Sequence, residues 1–252
     1  MKPSMLVHLQ QVDSTNEYVK QHAHELPDGA AVLADRQTAG RGRMGRNWQT
    51  PSGEAMLCSW LYHQLSPRQR SLLPQAAGLA AVQALSQLCA QQASLKWPND
   101  LVVWHEGRYY KLGGILCESR CTGTQMMAVC GIGVNLCQSF EALQEAGLPD
   151  AASVQGVWEI SVDRLELVEH LTEALQSCIE QIEQEPELFL QRYSQSCMTL
   201  GKQVTIQAAG QPERCAVAVR IGEDGCLICR EKDKEFSVYA GDVSIRSAGG
   251  YA

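Results

Sequence analysis

The segment from Arg36 to Gly53 limits the possible folds of this chain more than any other stretch. It contains four arginines and four glycines, has few apolar residues, and ends in the turn-forming run Thr50-Pro51-Ser52-Gly53. Strand-like apolar runs flank it at Ala31–Ala34 and Ala55–Tyr62. A long loop between two strands of a compact domain usually has a function. We therefore expect a compact fold that carries this segment as a functional loop.

Two patterns divide the rest of the chain. In the larger part, amphipathic helical patterns at Pro74–Ala90 and 165–182 accompany strand-like runs between Ser94 and Asn135. From Gly201 onward, short alternating runs are separated by Gly and Asp turns, a pattern typical of a small all-β unit. We therefore predict an α+β fold, with a main domain over residues 1–198 and a small C-terminal β-barrel over residues 199–252.

Composition and charge exclude several classes of protein. No apolar run approaches the ~20 residues that cross a bilayer, and the first ten residues lack the apolar core of a signal peptide. The net charge of −7 disfavours binding to nucleic acid. The 11 cysteines are irregularly spaced, and the Cys226/Cys229 pair lacks the second pair that a zinc site needs. We expect a cytoplasmic protein that binds neither nucleic acid nor membrane, and we assign no metal ligands.

The centre of the loop, Gly40 to Arg46, matches the spacing of the dinucleotide fingerprint G-x-G-x-x-G. That fingerprint requires a helix directly after the glycines, whereas Asn47 to Gly53 cannot form one. Glycine backbone with Arg41, Arg43 and Arg46 instead suits wrapping and neutralising a phosphate. A mobile basic surface loop would have the same composition, so this motif alone leaves both interpretations open.

Three shorter motifs follow the loop. In Lys96-Trp97-Pro98-Asn99-Asp100, the proline favours a turn that aims an amide and a carboxylate into a site, although an ordinary turn fits as well. In Lys111-Leu112-Gly113-Gly114-Ile115-Leu116, the glycines indicate a β-bulge or close approach of a ligand beside a lysine. In Gly131-Ile132-Gly133-Val134-Asn135, alternate residues share one face, against which a flat ligand can lie.

Together and in this order, with Asp13-Ser14-Thr15-Asn16 and Gln37-Thr38-Ala39, these motifs resemble those of biotin protein ligases. The resemblance covers about Asp13 to Asn135 and continues more weakly through Ala152-Ser153-Val154 and Val243 to Ser247. It implies a mixed-sheet catalytic domain like that of class II aminoacyl-tRNA synthetases and biotin/lipoate ligases, with an SH3-like C-terminal barrel. It also implies the stand-alone type, without the N-terminal DNA-binding domain of some members.

The resemblance implies an activity in two steps. Biotin and ATP form biotinyl-5'-AMP and pyrophosphate with Mg²⁺, and biotin then passes to a lysine of a biotin carboxyl carrier protein. Members of the family also form homodimers, for which edge strands near Met126–Val134 are candidates.

The resemblance also implies roles for particular residues. As catalytic residues it implies Lys111, Arg43 and Asp100. As biotin-binding residues it implies Ser14, Thr15, Asn16, Gln37, Gly40, Arg41, Gly42, Arg43, Lys111, Gly114 and Gly131. As ATP- or adenylate-binding residues it implies Arg41, Arg43, Arg46, Trp48, Lys96, Asn99, Lys111, Gly133 and Asn135. One loop position departs from the family pattern, since Met44 stands where a basic residue is usual.

Two other functions remain as alternatives. A lipoate ligase or octanoyl transferase shares the catalytic fold, but lipoate lacks the ureido ring that Ser14-Thr15-Asn16 would bind. A biotin-binding regulator without catalytic activity is disfavoured by the presence of Lys111 and Arg43. For the C-terminal unit, Arg246 is a candidate contact to ATP or the carrier.

Overall fold

A computed structural model of the chain describes residues 2–48, 50–122, 125–208, 212–240 and 243–247. In chain order the elements are β1 (Leu6–Val12), α1 (Thr15–Gln21), β2 (Ala31–Gln37), a 3-10 turn (Arg43–Gly45), β3 (Ala55–Tyr62), α2 (Pro67–Cys89), β4 (Ser94–Lys96), β5 (Asp100–His105), β6 (Arg108–Thr122), β7 (Gln125–Asn135), α3 (Phe140–Glu145), α4 (Val154–Trp158), α5 (Arg164–Gln184), α6 (Pro186–Ser196), β8 (Gln203–Ala208), β9 (Arg214–Ile221), β10 (Leu227–Glu231), β11 (Lys234–Val238) and β12 (Val243–Ser247). The predicted α+β composition is confirmed.

The first seven strands form a mixed sheet in the order β1-β2-β3-β7-β6-β5-β4. Strands β1 and β2 are parallel, and the other neighbours are antiparallel. The expectation that Met126–Val134 forms an edge strand is wrong, because β7 lies between β3 and β6. The local pattern of apolar residues does not encode strand order, which depends on long-range pairing.

Helices cover the two faces of the sheet differently. The long helices α2 and α5 pack together against one face, where Leu72, Leu85 and Leu171 are fully buried. The short helix α1 lies on the other face and packs against β2, β3 and β7. Within the described part of the chain, no helix is long and apolar enough to cross a membrane.

Helix α2 begins seven residues before the position that apolar periodicity indicated. It starts at Pro67 rather than Pro74, because Ser66 and Gln69 form a capping box that satisfies the first backbone amides. Pro74 lies inside the helix. The short helices α3 and α4 were not expected, since runs of six and five residues carry little periodicity.

The last five strands form a second sheet in the order β11-β10-β9-β8-β12. The prediction of short strands from Gly201 onward is confirmed. Strands β11 and β12 stand at opposite edges, so the described strands form an open sheet and not a closed barrel. Cys226 and Cys229 are buried free thiols, as expected for small apolar residues of this sheet.

The second sheet is hydrogen-bonded to the main domain through the turn before β10. The Gly225 carbonyl accepts hydrogen bonds from Trp97 Nε1 at 3.1 Å and from Gln75 Nε2 at 3.0 Å. The neighbouring Asp224 carbonyl accepts one from Ser71 Oγ at 2.8 Å. Trp97 is 1% exposed. The tryptophan of the Lys-Trp-Pro-Asn-Asp motif therefore anchors the second sheet.

We expect Gly225→Ala to weaken this attachment. Gly225 has φ +84°, and a Cβ there would lie 2.9 Å from the buried amide of Gln75. The left-handed backbone costs an alanine about 1–2 kcal/mol, and the overlap adds about 1–3 kcal/mol. Gly201→Ala is the matched control, since Gly201 has φ +78° and nothing within 4 Å. In urea unfolding, Gly225→Ala should lose more stability than Gly201→Ala; equal losses would contradict the attachment.

Candidate active site

A cavity of about 870 Å³ opens on the α1 face of the main sheet. Its floor is formed by β6 and β7 where they carry Gly114, Gly131 and Gly133. It brings together every residue that the sequence analysis assigned to biotin, ATP or catalysis except Gly40: Ser14, Thr15, Asn16, Gln37, Arg41, Gly42, Arg43, Arg46, Trp48, Lys96, Asn99, Asp100, Lys111, Gly114, Gly131, Gly133 and Asn135. Residues far apart in the chain thus form one site.

The Gly-Arg loop folds as a small hairpin beside this cavity. Trp48 N donates to Gly40 O at 2.8 Å, and Gly42 N donates to Arg46 O at 2.7 Å. A Cβ at Gly40 would lie 2.3 Å from Trp48 O, so this position has no room for a side chain. Gly40 therefore closes the hairpin. The 3-10 turn is the only helical part of the described loop, and β3 follows it, as expected for a loop that is not a dinucleotide fingerprint.

Arg43 joins three parts of the structure. Its Nη1 donates to Asn99 Oδ1 at 3.0 Å, and its Nη2 donates to the carbonyl of Ala240, which follows β11 of the second sheet. Asn99 in turn donates from Nδ2 to Ile115 O at 3.2 Å on β6. The loop, the Lys-Trp-Pro-Asn-Asp turn and the C-terminal sheet therefore meet at this guanidinium. Met44 lies next to it at the exposed tip, with φ 56°.

Lys111 and Asp100 form an ion pair inside the cavity. Lys111 Nζ lies 2.6 Å from Asp100 Oδ1, with side chains 26% and 17% exposed. The pairing of β5 with β6 shifts register between Leu101 and Val102. Without this bulge, residues 111 and 114 would face opposite sides of the sheet. Instead, Lys111 Nζ lies only 3.5 Å from where a Cβ at Gly114 would stand, so the bulge directs the lysine over the glycine floor.

The glycine floor accommodates a planar ring. The Trp48 indole lies on it, with ring atoms 3.1 Å from where a Cβ would stand at Gly114 and at Gly133. Lys111 Nζ is 5.5 Å from the centroid of the same ring. Trp48 Nε1 is buried and makes no hydrogen bond to a described residue. This unsatisfied donor, together with the flat floor, marks the centre of the cavity as a place for a planar, polar-edged group.

A polar cluster lies at the α1 end of the cavity. Thr15 donates to Gln37 Oε1 from its backbone N at 2.7 Å and from Oγ1 at 3.0 Å. Ser59 Oγ lies 2.7 Å from Thr15 Oγ1 and 2.6 Å from Asn16 Oδ1. Ser59 belongs to none of the sequence motifs, although a serine within the apolar run Ala55–Tyr62 indicates a polar group in the sheet at this position. Ser14 is also buried beside this cluster.

Asn16 is held from two sides. Its Nδ2 donates to Leu116 O at 3.1 Å and to Glu118 Oε2 at 2.7 Å. A Cβ at Gly131 would lie only 2.2 Å from Asn16 Oδ1, so glycine is required for this approach. Glu118 is a second residue that the sequence analysis missed. It lies on the same face of β6 as Gly114, but no motif included it.

Other predicted residues differ in how they face the cavity. Asn135 is 4% exposed and donates from Nδ2 to Ala152 O at 3.1 Å, so its amide supports the cavity wall. Lys96 is also buried, whereas Arg46 is exposed. Arg41 pairs with Glu17 at 2.8 Å. The side chain of Arg246 lies outside the described part of the structure.

No three described His, Cys, Asp or Glu side chains form a group that would hold a metal ion.

Known proteins resemble the chain over this region and beyond. A profile of the biotin/lipoate A/B protein ligase family matches residues 8–135. The bifunctional ligase/repressor BirA of Escherichia coli is 30% identical over 250 residues, which cover 94% of the chain and 73% of the relative. The biotin–[acetyl-CoA-carboxylase] ligase of Mycobacterium tuberculosis is 31% identical over 86% of the chain and 79% of the relative.

Solved structures share the whole fold. The biotin protein ligase of Aquifex aeolicus, in complex with biotin and ATP, superposes with a TM-score of 0.80 at 26% identity. The alignment covers 97% of this chain and 100% of that one. The similarity therefore extends through the C-terminal sheet as well as the main sheet.

Proposed function

The chain belongs to the biotin/lipoate A/B protein ligase family, in which its relatives are biotin protein ligases, and we propose that the cavity is where it activates and transfers biotin. The main support for this proposal is that the two ends of the cavity, which share one floor of glycine residues, differ in their chemistry. The polar cluster of Thr15, Asn16 and Gln37 lies at one end, and Lys111 with Arg43 lies at the other. A ligand with a polar head and a reacting carboxylate matches this arrangement.

In the first step, the biotin carboxylate attacks the α-phosphorus of ATP and pyrophosphate leaves. Two anions must approach each other, so positive charge is needed where negative charge accumulates in the transition state. Lys111 and Arg43 supply that charge, while Arg41 and Arg46 of the loop add to the field. We propose that Mg²⁺ arrives with the triphosphate as part of the substrate MgATP, because Mg²⁺ is commonly bound through substrate phosphates.

The two substrates divide the cavity between them. We assign the ureido ring of biotin to the α1 end, where Ser14, Thr15, Asn16 and Gln37 offer hydrogen bonds, and its apolar body to Gly114 and Gly131, with Gly42 beside it and Gly40 holding the hairpin closed. We assign adenine to the end of the cavity near Gly133, stacked on the Trp48 ring that covers this glycine. Lys96, Asn99 and Asn135 complete the nucleotide end, Asn135 by supporting the wall.

In the second step, a lysine amine of a carrier protein attacks the acyl-adenylate and AMP leaves. The amine must lose its proton before it can attack. Asp100 lines the cavity and its carboxylate contacts Lys111 Nζ, so we propose that it orients the incoming ammonium and accepts its proton.

Asp100→Asn is expected to slow transfer more than adenylation, because the amide cannot accept a proton but remains nearly isosteric. Single-turnover transfer from preformed biotinyl-AMP, compared with pyrophosphate exchange in the same variant, measures the two steps separately. If both steps fall by the same factor, Asp100 serves only to hold Lys111.

Arg43→Gly is expected to release biotinyl-AMP faster than the unchanged chain. The substitution removes the hydrogen bonds to Asn99 and to the Ala240 carbonyl, and with them the link that holds the loop over the cavity. Filter retention of radiolabelled intermediate measures the release rate. Retention that equals that of the unchanged chain would mean that the loop does not shield the intermediate.

The proposed function is tested by incubating the chain with biotin, MgATP and the biotin carrier domain of an acetyl-CoA carboxylase. The expected product is the carrier with biotin on one lysine, identified by mass spectrometry. Lipoate in place of biotin should leave the carrier unmodified; lipoylation would instead favour the lipoate ligase. Tight binding of biotin with no modified carrier and no adenylate would favour the non-catalytic regulator.

Two finer features are part of the same proposal. We propose that the second sheet is an SH3-like barrel that stays open between its edge strands β11 and β12, supported by five short antiparallel strands and by buried residues that include Val204, Ala218 and Leu227. We also propose a domain boundary at residues 198/199, supported by the end of α6 at Ser196 and the start of β8 at Gln203.

A further inference from the structure

The amide of Asn16 has one orientation that satisfies its surroundings. An amide NH₂ has two protons to donate, and those of Asn16 go to Leu116 O and Glu118 Oε2. Its Oδ1 faces Ser59 Oγ, which is a donor to it. Flipping the amide would place its oxygen against two acceptors, one of them charged. The two acceptors on β6 therefore fix which end of the amide faces the rest of the polar cluster.

The oxygen that this orientation presents can accept a further hydrogen bond. An amide oxygen has two lone pairs, and Ser59 has one hydroxyl proton that it shares between Thr15 Oγ1 and Asn16 Oδ1. Asn16 Oδ1 occupies the space that a Cβ at residue 131 would fill, so it lies directly against the β7 backbone. Asn16 also lines the cavity. A ligand N–H is the group that would complete this site.

Glu118 is itself held in place at both carboxylate oxygens. Oε2 accepts from Asn16, and Oε1 accepts from Lys20 Nζ at 2.9 Å. Lys20 is 14% exposed and also contacts Glu17 at 2.7 Å. Burial lowers the pKa of Lys20, but its hydrogen bonds to Glu17 and Glu118 outweigh this and raise the pKa above its usual value. The lysine thus stays charged and locks the Glu118 carboxylate toward Asn16.

We propose that Glu118 is a positioning residue that sets substrate specificity: it holds Asn16 so that Oδ1 accepts a hydrogen bond from a ureido N–H of the substrate. This inference rests on the proposed function, since it requires a ureido ring at the α1 end of the cavity. It explains why a carboxylate with no place in any of the motifs lies directly behind the polar cluster. It predicts discrimination between substrates that differ only in one N–H.

The test is Glu118→Gln, assayed by pyrophosphate exchange with biotin and with analogues methylated at one or the other ureido nitrogen. A glutamine can present either its oxygen or its NH₂ to Asn16, so it no longer fixes the amide. The unchanged chain should prefer biotin over one analogue. In the variant, KM for biotin should rise about tenfold, whereas KM for that analogue should change little. The preference for biotin over the analogue should therefore be lost. The ratio of KM for biotin to KM for the analogue does not depend on the fraction of the variant that is folded.

Glu17→Gln is the matched control, because it removes a carboxylate from the same lysine without removing a hydrogen bond of the Asn16 amide. It also removes the ion pair with Arg41, which should affect biotin and its methylated analogues alike. It is expected to keep the preference for biotin. An unchanged preference in Glu118→Gln, or parallel changes for biotin and both analogues, would overturn the positioning role while leaving the proposed function intact. Absence of biotin-dependent exchange in the unchanged chain would overturn the proposed function, and this inference with it.

Discussion

Lys111→Met is expected to lower the rate of biotin adenylation by about 10²- to 10³-fold, the usual effect of removing one preorganised charge from a transition state. The lysine lies over the glycine floor because a β-bulge turns it there, and its ion pair with Asp100 at 2.6 Å fixes its position. Methionine keeps most of the length of the side chain but carries no charge. The loss should therefore appear in the rate of pyrophosphate exchange at saturating biotin and ATP.

The control for this experiment is Lys202→Met, a lysine that lies over the Tyr109 ring and not in the cavity. Its exchange rate should match that of the unchanged chain. The double variant Lys111→Met with Asp100→Asn separates the loss of catalysis from the loss of stability. In Lys111→Met alone the Asp100 carboxylate is left without its lysine partner, and the second substitution removes that charge. That variant should unfold at higher urea than Lys111→Met and remain inactive. Normal exchange by Lys111→Met would exclude the lysine from catalysis.

Gly131→Ala is expected to weaken biotin binding by about 30- to 100-fold, equivalent to roughly 2–3 kcal/mol. The added Cβ would lie 2.2 Å from Asn16 Oδ1. Asn16 would have to move, which breaks its hydrogen bonds to Leu116 and Glu118 and displaces the acceptor assigned to the ureido ring. Isothermal titration with biotin measures the loss directly.

Gly133→Ala provides the matched comparison, since it adds the same atom two residues along the same face of β7. That Cβ would lie 3.1 Å from the Trp48 ring, and Asn16 is not among the atoms nearest to it. We expect it to raise KM for ATP while changing biotin affinity little. Equal loss of biotin affinity in both variants would contradict the assignment of biotin and adenine to opposite ends of the floor.

Sequence reasoning placed most of the fold because short-range patterns carry that information. Alternation and helical periodicity located the strands of both sheets and the helix α5, and glycines marked the floor and the bulge beside Lys111. Strand order was not accessible, so β7 was taken for an edge when it lies in the middle of the sheet. The start of α2 was missed because a capping box, and not apolar spacing, determines it.

The sequence predicted most of the residues that line the site but not the contacts between them. Motifs identified the residues that line the cavity, yet the pairing of Lys111 with Asp100 and the reach of Arg43 to the Ala240 carbonyl depend on tertiary structure. Ser59 is one polar residue in an apolar strand, and Glu118 begins the polar run Glu118-Ser119-Arg120, so neither belonged to a motif. Nor could the sequence show that Asn135, which the resemblance assigned to the nucleotide, donates from its amide to the Ala152 carbonyl.

The most direct test of the central claim is pyrophosphate exchange into ATP by the purified chain with Mg²⁺, measured with biotin, with lipoate and with neither. The account predicts exchange that requires biotin and that falls by about 10²- to 10³-fold in Lys111→Met. Exchange that requires lipoate would move the chain to the lipoate ligases. Absence of exchange with either acid, in a protein that still binds biotin, would contradict the catalytic roles of Lys111 and Arg43.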